Sequence, residues 1–174
     1  GKSTLMKAVM GLLKPLSGWV KVLGQPVHKQ LQKIAYVPQR ESVDWDFPVS
    51  VFDVVLMGRY GRLGLLKRPT DQDKAVAEAC LKRVGLLECA HRQISELSGG
   101  QQQRVFVARA LAQEGLLYFM DEPFAGIDIA TESILMEVFH SLKAEGKTLF
   151  MVHHDLASAP DYFDALMLIN MRLV

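Results

Sequence analysis

An apolar run that leads directly into two acids restricts the fold of this chain more than any other feature. Residues 116–120 form the run, which begins after Gly115 and ends at Asp121 and Glu122. A strand that is apolar on both faces is typical of a parallel sheet with helices on both sides. Further short apolar runs, at residues 19–23, 34–37, 148–152 and 165–169, alternate with longer helical patterns. This alternation predicts an α/β fold with a parallel sheet.

The helical patterns have recognisable starts and stops. A helix is predicted over residues 3–13, and another follows the capping residue Ser50 and runs to about residue 59. Thr70 and Asp73 have the spacing of a capping box, before a helix that ends near residues 84–85. Two more helices are predicted over residues 102–112 and 130–145, and the second stops at Gly146, a typical residue after a helix end.

The chain divides by pattern into a core and an insertion. Between about residues 48 and 104 the sequence shows helical patterns and no clear strand pattern. We therefore predict an all-helical subdomain over residues 48–104, inserted into an α/β core formed by residues 1–47 and 105–174.

Composition bounds the function. The chain has 174 residues, 49% hydrophobic and 22% charged, which is typical of a globular protein with one domain or a core plus a small subdomain. A formal net charge of +1 gives no reason to expect nucleic acid as a partner. No apolar run approaches the roughly 18 residues of a membrane span, so membrane association would require docking on another protein.

The first four residues match part of a known phosphate-binding pattern. Gly1-Lys2-Ser3-Thr4 is the second half of the loop G-x-x-x-x-G-K-[ST]. In such a loop the lysine supplies a cation to the β- and γ-phosphates, and the serine hydroxyl ligates Mg²⁺. The N–H groups and positive dipole end of the following helix favour the same phosphates. Four letters alone carry little weight, so the interpretation depends on the rest of the chain.

A second motif is far more specific. Leu97-Ser98-Gly99-Gly100-Gln101 would arise by chance in roughly one chain of this size in several thousand, given average residue usage. It precedes a predicted helix, so a capping serine and unpaired N–H groups stand at a helix start, where two glycines allow an anion to approach the backbone. The alternative is a simple Ser-Gly-Gly helix cap.

Polar residues at two strand ends complete the candidates. A carboxylate at the carboxyl end of a parallel strand lies where α/β folds bind ligands. Asp121 would hold Mg²⁺ through its water shell, and Glu122 would polarise an attacking water. The alternative is a pair of solvated acids. His154 follows the strand of residues 148–152 and could donate to a γ-phosphate. A metal site with His153 and Asp155 is disfavoured, because adjacent residues at a strand end point apart.

The order of these features leads to a family resemblance. One chain contains the phosphate loop, Gln39 after a strand, residues 97–101, two acids after a strand, and His154 after a strand. It resembles the nucleotide-binding subunit of an ABC transporter over essentially all 174 residues. The resemblance implies a P-loop NTPase (RecA-like) core with a parallel sheet and an inserted all-helical subdomain. It also implies ATP and Mg²⁺ as cofactors and ATP hydrolysis as the activity.

The resemblance assigns roles within one subunit. Gln39 matches the residue that contacts Mg²⁺ and relays motion to the membrane subunit. Asp121 matches the acid that holds Mg²⁺ together with Ser3, and Glu122 matches the catalytic base. His154 matches the switch histidine that senses the γ-phosphate.

Other implied roles require partners. Residues 97–101 match the family signature, which binds the γ-phosphate held by the second copy in a homodimer, and residues 125–128 match a loop that brings Asp128 to the dimer interface. The helical subdomain is implied to contact an integral membrane permease. This places the subunit peripherally at the cytoplasmic face of the membrane, with a substrate-binding protein as an indirect partner and no nucleic acid.

The cargo is less constrained than the activity. Residues 39–50 and 53–61 resemble importers of manganese, zinc or iron, although a generic docking surface would explain them too. One alternative is an importer of iron chelates, haem or cobalamin. A second is a non-transport ABC ATPase, which the short gap between Gln39 and Leu97 disfavours. A third is a truncated chain without activity.

Two parts of the family pattern are absent from the sequence. The chain starts inside the phosphate loop and stops just after a predicted strand, so we expect it to be truncated at both ends. The missing parts would include the aromatic residue that stacks on adenine and the strand that feeds the loop. That strand is predicted to lie beside the strand of residues 116–120, and its loss would expose an apolar edge. Residues 1–174 alone are therefore expected to bind ATP poorly and to aggregate.

Overall fold

The computed structural model describes residues 1–63, 67–154, 159–170 and 172–173. Short 3₁₀ turns connect several of its helices and strands. In chain order the elements are α1 (Lys2–Val9), β1 (Lys21–Val22), β2 (Gln25–Pro26), β3 (Ile34–Val37), α2 (Val51–Leu56), α3 (Tyr60–Leu63), α4 (Asp71–Arg83), α5 (Gly99–Ala112), β4 (Leu117–Asp121), α6 (Ile129–Ala144), β5 (Thr148–Val152), α7 (Ala159–Tyr162), β6 (Ile169–Asn170) and β7 (Arg172–Leu173). From α5 to β6 the helices and strands alternate, and four helices lie between the strands β3 and β4, as the sequence pattern predicts.

A three-stranded parallel sheet, in the order β3-β4-β5, forms the centre of the molecule. Ile34 pairs with Leu117 and Leu117 with Thr148, so all three strands begin at the same edge. Side chains alternate between the two faces, as the pleat requires. Phe119 faces one side with α1, while Tyr118 and Met120 face the main core.

Helices cover both faces of this sheet. On one face, Met6 of α1 and Met10, the residue that follows this helix, pack with Phe119 and Val152. On the other face, α5 and α6 bury apolar stripes, and the stripe of α6 has helical spacing. Its members are Leu135, Val138, Phe139 and Leu142. The arrangement explains why residues 116–120 are apolar on both sides.

The helices between β3 and β4 share the core of the sheet. Helices α2, α4 and α5 pack on one another, and their buried residues belong to the same cluster as Ala35 and Val37 of β3. Both cysteines are free, and burial raises the pKa of the Cys80 thiol to about 11. The division into residues 48–104 and the remainder stays a prediction. Helix α5 crosses the predicted boundary, since it packs on α2 and α4 as well as on β3 and α6.

Two predicted elements are shorter in the structure than in the sequence analysis. The first helix ends at Val9 and not near residue 13, because Gly11 adopts a left-handed conformation with φ of 76°. The strand predicted over residues 19–23 is reduced to Lys21–Val22, which pairs with Gln25–Pro26. Leu23 and Gly24 between them both have positive φ, as a two-residue hairpin turn requires.

Two further expectations are wrong. Residues 165–168 are irregular and exposed, and only Ile169–Asn170 form a strand, paired antiparallel with Arg172–Leu173 outside the parallel sheet. The strand that was expected beside β4 has no place there, because β4 already pairs with β3 on one side and with β5 on the other. Among the residues that the structure describes, no helix is long and apolar enough to cross a membrane.

Candidate functional site

The carboxyl ends of β4 and β5 meet the amino end of α1, and most of the predicted site residues gather there. Gly1 is the N-cap residue of α1, so Lys2, Ser3 and Thr4 form its first turn, where backbone N–H groups have no partner within the helix. Asp121 is the last residue of β4, and His154 follows β5 by two positions. This is the edge at which parallel sheets bind ligands.

Ser3 and Asp121 form one half of this cluster. The Ser3 hydroxyl donates to Asp121 Oδ1 at 2.9 Å. Asp121 is only 2% exposed, and its charge, after the larger effect of burial, raises the pKa of Tyr36 on the neighbouring strand. A hydroxyl and a buried carboxylate side by side are hard oxygen donors, the type that Mg²⁺ prefers. The donor set therefore fits the implied cofactor.

Lys2, His154 and Glu122 form the other half. Lys2 Nζ donates to the carbonyl oxygen of His153 at 3.3 Å and lies 3.2 Å from His154 Nδ1. His154 Nε2 is hydrogen-bonded to Glu122 Oε1. Because an ammonium can only donate, Nδ1 acts as acceptor, which assigns the ring proton to Nε2 and makes Nε2 the donor to Glu122. Glu122 has φ of 55°, a left-handed conformation that a non-glycine residue seldom adopts outside constrained sites.

Gln39 lies two residues beyond β3, at the same sheet edge, but it is engaged elsewhere. Its side-chain amide donates to Glu41 Oε2 at 3.5 Å, and its carbonyl oxygen accepts from the Ser42 hydroxyl at 2.7 Å. The structure thus joins Lys2, Ser3, Asp121, Glu122 and His154 by hydrogen bonds, and it orients the Gln39 side chain toward its own loop.

The Leu97–Gln101 motif starts helix α5. Ser98 is the N-cap residue and accepts from the Gln101 N–H at 3.3 Å, while the Gln101 side chain accepts from the Ser98 N–H at 2.9 Å. This reciprocal capping box satisfies two backbone donors. Gly99 and Gly100 occupy the first turn, and Leu97 before it is buried. Ser98 therefore does cap α5, and this capping leaves room for a further role of the two glycines.

Both glycines are also approached closely from within the chain. A Cβ at Gly99 would lie 2.8 Å from Cζ of Arg40, and a Cβ at Gly100 would lie 2.8 Å from Oγ1 of Thr131. Thr131 belongs to the first turn of α6, whose N-cap is Asp128. The turn of residues 98–101 is thus held between the loop after Gln39 and the start of α6.

Asp128 has a structural partner as well as a predicted interface role. Its carboxylate accepts from the Thr131 N–H at 2.8 Å and from the Thr131 hydroxyl at 3.1 Å. The pKa of Asp128 lies below its ordinary value, and the main cause is the hydrogen bond from the Thr131 backbone N–H. Asp128 is therefore charged at neutral pH and fixes the start of α6.

Sequence reasoning missed Arg40 and Thr131. Neither belongs to a phosphate-binding or metal-binding pattern, although Thr131 stands three residues after Asp128, the usual spacing of a cap contact. Of the alternative metal site with His153 and His154, the third member, Asp155, lies outside the described residues. Within the described ranges, no group of three or more His, Cys, Asp or Glu side chains could hold a metal ion.

Comparison with known proteins gives consistent relatives. A family model described as ABC transporter matches residues 1–125. A zinc transport system ATP-binding protein from Treponema pallidum is 57% identical over 174 residues, which are 100% of this chain and 65% of that protein. A manganese transport system ATP-binding protein from Bacillus subtilis is also 57% identical over 174 residues, with 70% of its length covered. The chain therefore spans about two thirds of the length of these relatives.

Solved structures agree with the sequence relatives. A dimeric ATP-binding cassette in a post-hydrolysis state, bound to ADP and phosphate, matches with a TM-score of 0.74 and 29% sequence identity. The match covers 90% of this chain and 71% of that one. The predicted fold class, an α/β P-loop NTPase core with a parallel sheet and inserted helices, is confirmed.

Proposed function

Because the chain belongs to the ABC transporter family, we propose that it is the ATP-hydrolysing part of a transporter that imports a metal ion. The observation that carries the proposal is the cluster at the sheet edge. There the serine of a phosphate loop donates to Asp121 at the end of β4, and the lysine of that loop contacts His154, which in turn is hydrogen-bonded to Glu122. A simple helix cap or a pair of solvated acids requires none of these contacts.

Binding of the phosphates is assigned to the first turn of α1. Lys2 Nζ donates hydrogen bonds to two uncharged acceptors, the His153 carbonyl oxygen and His154 Nδ1. Phosphate oxygens would compete for this donor because they carry full negative charge. The N–H groups of residues 2–4 and the dipole of α1 add to this attraction. Gly1 allows the phosphate chain to approach the backbone, since it has no side chain.

Ser3 and Asp121 would hold Mg²⁺, with Gln39 as a further oxygen donor once its amide leaves Glu41. When bound, the ion neutralises charge on the β- and γ-phosphates and orients them. The contribution of the chain itself is to keep the two oxygen donors adjacent and Asp121 buried, so that the carboxylate has few competing partners.

Glu122 is proposed as the base. It would accept a proton from the water whose oxygen attacks the γ-phosphorus, while the bond from that phosphorus to the bridging oxygen breaks. His154 donates to Glu122 and thus fixes the orientation of the carboxylate. The left-handed backbone at Glu122 turns the chain away from β4 and is consistent with a constrained catalytic position. Most of the rate enhancement would come from positioning and charge stabilisation.

A second copy is proposed to complete each site. The signature residues Ser98, Gly99 and Gly100 would face the γ-phosphate on the partner, with Leu97 and Gln101 holding their turn and Asp128 at the interface. The solved relative bound to ADP and phosphate is itself dimeric, which supports a two-copy arrangement. Closure of the dimer would drive a membrane permease through the helices of residues 48–104, and a substrate-binding protein would deliver the cargo.

The cargo is proposed to be manganese, zinc or iron. Two relatives bear the names of zinc and manganese transport systems, and both match the chain over its whole length. Import of an iron chelate, haem or cobalamin remains the alternative. The subunit would sit peripherally on the cytoplasmic side of the membrane, held by its permease.

Glu122→Gln in the complete gene product tests the proposal. We expect unchanged ATP binding by titration, because the amide keeps the shape of the carboxylate, and hydrolysis slowed by about 10²–10⁴-fold, as for loss of a general base. The same allele should abolish cellular uptake of one of labelled manganese, zinc or iron. Glu88→Gln, a substitution in the 3₁₀ turn after α4, serves as the matched control. Unchanged ATP turnover would remove Glu122 as the base, and unchanged uptake of all three ions would remove the cargo assignment.

A further inference from the structure

We propose that Arg40 is a positioning residue that joins the loop of Gln39 to the signature turn of the same chain. The inference rests on the proposed function, since it gives that turn a task at the partner's nucleotide. It assigns to Arg40 the coupling of two parts of the machinery that would otherwise act on different nucleotides: Gln39 on its own, and residues 98–100 on the partner's.

The guanidinium of Arg40 lies flat on Gly99. A Cβ built at Gly99 would be 2.8 Å from Cζ, 3.0 Å from Nη2 and 3.1 Å from Nη1, and such nearly equal distances mean that the face of the group, and not its edge, covers the glycine. Any side chain at residue 99 would displace it. The absence of a side chain at Gly99 is therefore what allows the guanidinium to occupy this position, independently of any ligand.

Hydrogen bonds fix the guanidinium in this position. Arg40 Nε and Nη2 donate to the side-chain oxygen of Gln102 at 3.3 and 3.1 Å. The Gln102 side chain is buried and donates in turn to the Ile94 carbonyl oxygen at 3.2 Å. A planar group with two parallel donors to one oxygen is a geometry that lysine cannot reproduce.

A tryptophan of the same loop links the Arg40 backbone to α5. The Trp45 indole N–H donates to the Arg40 carbonyl oxygen at 2.9 Å, and the Trp45 ring packs edge-on against Phe106 of α5 with centroids 4.9 Å apart. The Arg40 guanidinium is 5.9 Å from the Trp45 ring centroid. The loop after Gln39 is therefore closed by its own hydrogen bond and contacts α5 through the side chains of Arg40 and Trp45.

The position of the charge argues against a purely structural purpose. A cation beside the amino end of a helix opposes the helix dipole, so Arg40 is a poor choice for stabilising α5. Its loop begins immediately after Gln39, and a shift of Gln39 would be passed through the guanidinium to Gly99. Thr131 of α6 lies so close to Gly100 that a Cβ there would be 2.8 Å from its Oγ1, so the turn has little freedom to absorb that shift.

Arg40→Ala and Arg40→Lys in the complete homodimer test the coupling. For Arg40→Ala we expect kcat for ATP hydrolysis to fall about tenfold, the change that corresponds to loss of one coupled contact, with KM for ATP within about threefold. KM is preserved because Lys2 and Ser3 are untouched. Arg40→Lys should remain impaired, since it keeps the charge but loses the planar contact. Arg92→Ala, which removes an exposed ion pair to Glu96, is the matched control and should change kcat by less than about twofold.

A double-mutant cycle with Gly99→Ala tests whether Gly99 acts together with Arg40 or serves only the partner's nucleotide. With Arg40 present, the added methyl group displaces the guanidinium and should lower kcat about tenfold. In the Arg40→Ala background the guanidinium is absent, so the loss for the double variant should be clearly smaller than the product of the two single losses, whatever Gly99→Ala costs at the partner's nucleotide. Multiplicative losses would mean that Gly99 serves only the partner's nucleotide and would overturn the inference.

The outcomes also distinguish this inference from the proposed function. A wild-type homodimer that hydrolyses ATP while Arg40→Ala matches it in kcat refutes the coupling alone. A lower kcat that is fully explained by a lower melting temperature, and restored by Arg40→Lys, also refutes it. A wild-type protein without any Mg²⁺-dependent ATP hydrolysis refutes the proposed function itself.

Discussion

Gly58 marks a very close approach between two helical segments. A Cβ at this position would lie 2.3 Å from the carbonyl oxygen of Arg109 and 3.0 Å from the Cβ of Ala112. Because a backbone oxygen cannot rotate away, Gly58→Ala must push the segment after α2 off helix α5. We expect the free energy of unfolding, measured with urea, to fall by about 2–3 kcal/mol, as in overpacked cores.

Gly61, three residues further on, provides the control for that substitution. Among the described residues, a Cβ there meets no heavy atom within 4 Å, and Gly61 lies in α3. Alanine in a helix is favoured over glycine by about 0.5–1 kcal/mol. Gly61→Ala should therefore leave stability unchanged or slightly raised, and equal losses in the two variants would contradict the packing argument.

At the residue scale, sequence motifs locate candidates but do not reveal their contacts. Lys2, Ser3, Asp121, Glu122 and His154 all follow from short patterns. The bond between Lys2 and His154 joins residues 152 positions apart, so it depends on how the strands are ordered in the sheet. Arg40 was not predictable in its role, because its contact with Gly99 requires the loop after β3 to fold back on α5.

The start of helix α4 depends on an ionised carboxylate in its capping box. Hydrogen bonds from the Thr70 side chain, then from the Thr70 N–H and from Arg59, lower the pKa of Asp73 from 3.8 to about 2. Asp73 Oδ1 accepts from Arg59 Nε at 2.9 Å, and Arg59 also donates to the Ala112 carbonyl oxygen at the end of α5. One carboxylate therefore caps α4 and ties it to two other helices.

The pKa shift of Asp73 fixes the sign of a pH dependence. A carboxyl group whose pKa is lower in the folded state stabilises the fold above its unfolded pKa and loses that contribution as the pH falls. The stability difference between wild type and Asp73→Asn should therefore be full above about pH 5 and shrink between about pH 4 and 2. Urea midpoints at several pH values measure it.

Asp71→Asn is the control for the pH series. Asp71 is in the same helical turn but is almost fully exposed, and it forms an exposed ion pair with Lys74. Exposed pairs of this kind contribute little, so the stability difference should be small at every pH. A difference for Asp73→Asn that does not vary with pH would exclude the carboxylate as the source of the effect.

At the scale of elements, predictions succeeded where a capping signal was present. The predicted box at Thr70, the predicted caps at Ser50 and Ser98 and the left-handed Gly146 all lie at helix ends in the structure. The prediction failed at residues 165–168, because an apolar run predicts a strand only if a neighbouring strand can pair with it. The stretch is instead exposed, and no local pattern could reveal that.

At the scale of the whole molecule, the contacts separate the site into two groups. Hydrogen bonds join Ser3 to Asp121, and Lys2 to His154 and through it to Glu122. The signature turn is held by different neighbours, Arg40 and Thr131. If each nucleotide uses the first group from one copy and the second from the other, then defects in the two groups should complement each other.

A mixture of two inactive variants tests this composite site. Lys2→Ala removes the phosphate cation, and Ser98→Arg blocks the signature turn, so each homodimer should lack hydrolysis. In a mixed dimer, one site combines the intact loop of the Ser98→Arg copy with the intact signature of the Lys2→Ala copy. Equal mixing and re-equilibration should restore about a quarter of wild-type ATP hydrolysis, because half of the dimers are mixed and each has one intact site.

The double variant Lys2→Ala with Ser98→Arg supplies the control, since mixing it with wild type places both defects in one copy. Neither site of that mixed dimer is complete, because one lacks the lysine and the other lacks the signature. Activity should then come from the remaining wild-type dimers alone. If the site were instead built within a single copy, the first mixture would stay inactive, whereas the second would keep one working copy in every mixed dimer. A composite site therefore predicts about a quarter of wild-type activity in both mixtures, whereas a site within one copy predicts none in the first and about half in the second, whatever the cargo of the transporter.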